Sequence, residues 1–322
     1  MKKRSLTIVI LVILAVIISV ILFDFMSNRP DRRGPNPYAL DVDQYKEVDE
    51  ALISHKETRN FSLGLLAASA LYHHNDSLFI VGESSLAIIT TEGTSLGLYE
   101  ILPHPTSLVV EDKYLYIGYQ KYVAKYDHSG VLVDRWADLD ERAVITSLAI
   151  KEDRIYVADA GNRKVLIYNN TGEIIGEFEG TSESDLGHGF IVPSANFDLV
   201  VNSYGELWVV NPGKHALENY TDDGQMRGFW ENSSVEIEGF LGCCNPARIT
   251  VMENGSFVTS EKGLVRIKIY DQSGALKSVV ATPALFKDEG KAPDVCVDSQ
   301  GIIYALDFDK DMVRIFEPKG NG

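Results

Sequence analysis

The amino-acid sequence predicts an all-β fold, a six-bladed β-propeller, preceded by a single N-terminal transmembrane helix. Paired β-branched and aromatic runs recur along the chain and close on glycine turns at Gly93, Gly130, Gly172, Gly224 and Gly274, at intervals of 37, 42, 52 and 50 residues. Each unit also has an upstream apolar run, such as "TSLVVED" or "TSLAIKED", that supplies a further strand. Short strands punctuated by turns at a period of roughly 40 to 50 residues signal four-stranded propeller blades. The third observation is an uncharged run of 18 residues, Leu6 to Phe23. As a helix it is about 27 Å long, close to the thickness of bilayer hydrocarbon.

The elements follow in order. Residues 1–25 are expected to be a cytoplasmic tip and membrane anchor. The apolar run is long for a signal-peptide core, and no A-x-A cleavage site follows it. Lys2, Lys3 and Arg4 favour an N-terminus inside, making the chain a single-pass protein of the cell membrane with the bulk of it outside the cytoplasm. Sequons at Asn60, Asn75, Asn169, Asn219, Asn232 and Asn254 fit that location. Residues 26–57 read as a stalk and short helix. "SNRPDRRGPNPY" is rich in Pro, Gly and charge, and Val42, Tyr45, Val48 and Leu52 then recur at helical spacing. Residues 58–318 are the propeller and residues 319–322 a tail. The last repeat stops one strand short after "VRIFEP", and "TRNFSL" at residues 58–63 is a spare strand, so the two together can close the ring and remove its free edges.

Composition narrows the function. A net charge of -16 excludes nucleic-acid binding through phosphate contacts, which needs a basic surface. Three cysteines are too few for a disulfide framework. The sequence has no G-x-S-x-G elbow, P-loop, H-E-x-x-H or C-x-x-C, and the seven histidines have no metal-ligand spacing. It singles out no metal site and leaves any cofactor open, and it points to binding before catalysis.

"IYVADAGNRKVLIYNNTGEIIGEF" resembles an NHL repeat, in which a strand ends in Ala-Asp, a Gly-Asn-Arg turn follows, and an apolar strand ends at a Gly turn. The similarity is closest around Asp159, Asn162 and Arg163 and looser in the first two blades. Residues 188–316 also resemble NHL-type propellers of prokaryotic envelopes that share "ELWVVNPGKH", the "GCCNP" turn and "VTSEKGLVRIKIYDQSGAL". The resemblance implies a fold and a location but no reaction, because NHL-type propellers include both binding platforms and enzymes.

In such propellers the first strand of each blade lines the central channel, and its start shares a face with the loop joining the second and third strands. Long connections before blades four and five also reach that face, and insertions of this kind are often functional. The candidate ligand-binding residues there are His188, Asn211, Trp230, Cys243, Cys244, Asn245, Arg248, Glu261 and Lys262. His188 lies between two glycines, which leaves its ring accessible. Arg248 would anchor an anionic group if it pointed inward. Glu261 and Lys262 read either as an acid/base pair or as an ion pair closing the loop. Asn211 also belongs to the repeat pattern, which gives it a structural reading. Asp307, Asp309 and Asp311 alternate as in a calcium loop, but Met312 stands where the turn glycine should be. Cys243 and Cys244 read as a reducible vicinal disulfide, as packed thiols or as metal ligands. The expected function is a binding, scaffold or sensor domain for a protein partner or small ligand. The alternatives are a metal-dependent lyase or hydrolase built from His188, Glu261 and the cysteine turn, and a redox accessory.

Overall fold

The computed structural model describes residues 2–27, 42–64, 67–180 and 189–320. The chain divides into two compact units, residues 1–42 and 43–322, each described by itself.

In the first unit, α1 spans Lys2–Ser27. Among the described residues no helix is long and apolar enough to cross a membrane, so the expected transmembrane helix is not supported. The continuous stretch of described side chains, Leu11 to Met26, is exposed and almost wholly apolar. The expected stalk falls mostly on residues 28–41, outside the described residues. Where apolar spacing predicted a short helix, the chain instead makes two 3-10 turns, Asp43–Tyr45 and Glu50–Leu52. An Asp49 carboxylate accepting from Ala51 N starts the second turn. Runs this short leave no room for an amphipathic face.

The second unit is the propeller. Strand β1 (His55–Ser62) precedes blade 1, which is β2 (Ala68–His74), β3 (Ser77–Gly82), β4 (Ser85–Thr90) and β5 (Ser95–Glu100). Blade 2 is β6 (Pro105–Val110), β7 (Tyr114–Tyr119), β8 (Val123–Asp127) and β9 (Leu132–Arg135). Blade 3 is β10 (Ile145–Lys151), β11 (Arg154–Asp159), β12 (Lys164–Asn169) and β13 (Ile174–Phe178). Blade 4 is β14 (Leu199–Val201), β15 (Leu207–Asn211), β16 (Ala216–Tyr220) and β17 (Met226–Glu231). Blade 5 is β18 (Arg248–Val251), β19 (Phe257–Ser260), β20 (Ile267–Tyr270) and β21 (Leu276–Ala281). Blade 6 is β22 (Asp294–Val297), β23 (Ile303–Asp307) and β24 (Met312–Pro318), with β1 pairing antiparallel on β24 as its fourth strand.

Side-chain pattern explains the layering. Second strands such as "IYVAD" are buried on both faces, while fourth strands such as "IIGEF" are exposed or half-buried except at the last residue. Each interface between neighbouring blades carries its own apolar core. Blades 1 and 2, for example, share Phe79, Val81, Leu108, Ile117 and Tyr126. The turn glycines that set the repeat have a common reason at this level. A Cβ on Gly274 would lie 2.6 Å from the Trp230 ring of the preceding blade, and the glycine has φ +84°. Phe61, Tyr99, Trp136 and Phe178 cover Gly93, Gly130, Gly172 and Gly224 in the same way. A side chain at these turns would meet both a ring and a left-handed backbone.

Candidate functional site

The six first strands surround a central cavity of about 230 Å³. Register places one residue of each blade at the same level around it. Ala70, Ser107, Ser147, Arg248 and Asp294 pair with Val81, Gly118, Ala158, Ser260 and Leu306, and the Asp198 carbonyl accepts from Val210 N at 2.8 Å. Around this inner ring Arg248 stands between two acids, Asp198 of blade 4 and Asp294 of blade 6. Each acid also ties its blade to the next. Asp198 accepts from Ile249 N at 2.7 Å, and Asp294 accepts from Leu71 N at 2.8 Å. Burial raises both carboxyls above the ordinary range, that of Asp294 to about 6, with Arg248 pulling each back down. The Arg248 side chain points into the channel and reaches blade 3, where its Nη1 donates to the Thr146 carbonyl at 3.1 Å. That is its one hydrogen bond to a described residue.

A second level, further from the axis, sits where each second strand ends. Asp159 accepts from Val144, Gly161 and Asn162 backbone N and from Asn162 Nδ2, which closes the blade 3 loop. In blades 2, 4, 5 and 6 the equivalent residue bonds to the side chain seven positions on. Tyr119 and Tyr126 share a hydroxyl contact at 2.8 Å, and Asn211 donates to Glu218 at 2.8 Å. Lys268 meets Glu261 at 2.9 Å, and Arg314 donates to Asp307 at 3.4 Å. A strand, a short loop and a returning strand bring these positions within diagonal reach across a hairpin, since Glu218 lies opposite Val209 and Arg314 opposite Ala305. All are buried.

Glu261 therefore does not pair with Lys262. Its carboxylate accepts from Arg266 Nε and Nη2 at 3.0 and 2.7 Å as well as facing Lys268, and none of the three is exposed to solvent. Burial lowers Lys268 to about 8 despite the attraction of Glu261. The two cations also hold the insert before blade 5. Lys268 Nζ donates to Ile237 and Gly239 carbonyls at 3.0 and 2.7 Å, Arg266 Nη2 donates to Gly239 O at 3.1 Å, and Tyr270 donates to Glu238 O at 2.9 Å.

The insert runs into the cysteine turn, which is fastened at both ends. Asn245 donates to Leu241 O at 2.6 Å and to Lys262 O at 3.1 Å, and accepts from Lys262 N at 2.9 Å. The carbonyl of Asn245 takes a hydrogen bond from His215 Nδ1 at 2.8 Å. A carbonyl only accepts, so Nδ1 carries the proton. Cys243 is exposed and Cys244 is 1% exposed, with their sulfurs 3.2 Å apart and no disulfide between them. Lys262 Nζ donates to Ser194 Oγ at 3.4 Å, and both groups face Cys244. Burial pushes the Cys244 thiol up, but hydrogen bonds with Ser194, Cys243 and Lys262 and the Lys262 charge hold it below the ordinary value. Its hydrogen bond with Cys244 raises Cys243.

The structure thus gathers Cys243, Cys244, Asn245 and Lys262 into one cluster and sets Arg248 in the channel. Asn211 is fully buried, accepting from Ile191 N and donating to Gly189 O. Trp230 lies in the core between blades 4 and 5, stacked on Phe240 with centroids 6.0 Å apart. His188 lies outside the described residues. The alternating acids of blade 6 do not form a cation loop: Asp307 is used by Arg314 and by the backbone N of Asp309 and Lys310. No cluster of three His, Cys, Asp or Glu side chains suited to a metal occurs among the described residues. Sequence reasoning missed Asp198 and Asp294. The aspartates were visible as the acids opening "DLVVN" and "DVCVD".

Solved structures share this architecture. The chain is similar to a streptogramin B lyase (11% identity, 84% of this chain and 100% of that one, TM-score 0.59). It is also similar to an inactive virginiamycin B lyase from Staphylococcus aureus solved with quinupristin (13% identity, 78% and 80% covered, TM-score 0.57). A third likeness is the WD40 propeller domain of Doa1 (16% identity, 79% of each chain, TM-score 0.55). The chain is an all-β, six-bladed propeller. At these identities the likeness extends to the fold alone. The chain matches no known protein-family profile and no curated protein.

Proposed function

We propose that this propeller is an NHL-type binding platform of a prokaryotic envelope, holding a small charged ligand or a charged side chain of a protein partner at its channel face. Arg248 carries the reading: it lines the cavity, uses one backbone acceptor, and is flanked by Asp198 and Asp294. A guanidinium placed in this way suits a carboxylate or another planar anion, and the neighbouring acids suit a cationic group on the same ligand. A cavity of about 230 Å³ fits a metabolite better than a drug-sized molecule. The platform reading is preferred to a lyase or hydrolase because the carboxylate nearest the cysteine turn, Glu261, is already held by Arg266 and Lys268. Attachment to a membrane belongs to the same proposal and rests on the uncharged run Leu6 to Phe23.

The test is a thermal-shift screen of the full chain against small zwitterions and dicarboxylates, repeated with Arg248→Gln. A ligand that stabilises the native chain and not the variant supports the reading. A ligand that stabilises both equally removes Arg248 from it. Protease added to intact spheroplasts should degrade the propeller, whereas full protection would overturn the membrane orientation.

A further inference from the structure

We propose that Cys243 and Cys244 form a thiol–disulfide exchange site, in which exposed Cys243 bonds to the sulfur of an organic thiol and buried Cys244 is the sulfur that leaves and returns. The inference stands independently of the binding role.

Three observations carry it. The first is approach. Neighbouring side chains on a strand point to opposite faces, but this pair lies in an irregular turn after Gly242, whose φ is +85°. There the two sulfurs converge to 3.2 Å, and a disulfide bond requires about 2 Å. The second is asymmetry of access, since Cys243 is open to solvent and Cys244 is 1% exposed. An incoming thiolate can reach only the outer sulfur. The third is asymmetry of charge. The Lys262 ammonium and the Ser194 hydroxyl face the inner sulfur, where negative charge appears when it departs. The turn keeps this arrangement because Asn245 is fastened to Leu241 and Lys262. Cys296 takes no part, being buried in the core between blades 6 and 1.

The chemistry balances with one class of co-reactant. In the oxidised protein a thiolate, RS⁻, attacks Cys243 Sγ. The Cys243–Cys244 bond breaks, an R–S–Cys243 bond forms, and Cys244 leaves as a thiolate. A second RS⁻ then attacks the R sulfur and releases Cys243 as a thiolate. The net change is protein disulfide plus two RSH giving protein dithiol plus RSSR, with the two protons passing from RSH to the protein thiols. RSSR reverses the sequence and is the oxidant. A disulfide between adjacent residues closes a small ring, and strained disulfides are the readily reduced ones.

Glutathione is the probe. The full chain is equilibrated over a range of reduced-to-oxidised ratios, alkylated under denaturing conditions and weighed intact. The proposal expects three alkylated cysteines to fall to one as the ratio becomes oxidising, and three at every ratio would overturn it. Cys244→Ser should accumulate a glutathione adduct on Cys243, whereas Cys243→Ser should stay almost unmodified. Equal adducts on the two variants would overturn the division of roles. Lys262→Gln should slow reduction of the disulfide by about threefold or more at a fixed pH, because a thiol of higher pKa leaves more slowly. An unchanged rate would remove Cys244 as the leaving sulfur. A parallel arm with a reduced, unfolded protein dithiol assigns the source of the substrate: exchange faster than with glutathione means protein thiols, and slower exchange means small ones.

Discussion

The two polar levels of the channel face differ in how far their groups are satisfied. At the outer level Asp159, Asn211, Glu261 and Asp307 are buried, and each is held by several hydrogen bonds within its own blade or the loop above it. At the inner level Arg248 has one acceptor, while Asp198 and Asp294, acids raised by burial, are bonded to the backbone N of Ile249, Leu199 and Leu71, so the group left short is Arg248. Both levels are polar in sequence. The lesson is that polarity at a channel mouth does not identify a site, whereas incomplete partnering does. Buried polar groups with a full complement of bonds maintain the fold, and groups left short are available to something else.

This contrast can be broken by experiment. The largest effect is expected at Glu261→Gln, which leaves Arg266 and Lys268 buried without their counter-charge. Loss of one partner of a buried cluster costs about 3 to 5 kcal/mol, to be read from denaturant unfolding. A change below about 1 kcal/mol would show that the outer level is not the structural one.

Next comes Asp294. Its folded pKa of about 6 lies above the ordinary 3.8, so the folded state holds its proton longer than the unfolded chain does. The associated stability is fully present below about pH 4 and is lost as pH rises towards about 6, by about 3 kcal/mol. Asp294→Asn should flatten that fall in a pH series of unfolding curves, and an unaltered slope would mean that Asp294 titrates normally.

Tyr119→Phe removes one outer-level hydrogen bond between hydroxyls and should cost about 1 kcal/mol, less than Glu261→Gln by a clear margin. Smallest in stability is Arg248→Gln, within about 0.5 kcal/mol at pH 5. It should nevertheless move the Asp294 titration above about 6, because the cation that pulls it down is gone. A large stability loss with no shift in titration would place Arg248 with the outer level instead.

The fold was legible because its signals repeat. A turn glycine covered by a ring of the preceding blade recurs at Gly93, Gly130, Gly172, Gly224 and Gly274, and a spare strand at one end matched a missing strand at the other. The cysteine cluster was half legible. Adjacent cysteines stand out in sequence and the repeat puts Ser194 and His215 on the same face, but no spacing announces that Ser194 bonds to Cys244 or His215 to the Asn245 carbonyl. Glu261 was misassigned because Lys262 is its neighbour in sequence, whereas the hairpin brings Arg266 and Lys268 to it. Aligning blades on the seven-residue offset of Tyr119 and Tyr126, Asn211 and Glu218, and Asp307 and Arg314 would have found the pair.

Closure of blade 6 by β1 sets an order of events during synthesis. The strand made first must wait for the strand made last: Glu57 and Arg314, which bond across that seam, are 257 residues apart. No ring can form until translation has passed β24, so blades 1 to 5 can assemble beside the ribosome while blade 6 cannot. Contacts of such long range are slow to form. Throughout that wait β1 is an unpaired strand, and its sequence suits it to the delay. "HKETRN" carries Lys56, Glu57 and Arg59, charges that discourage pairing with the wrong edge until the proper one emerges.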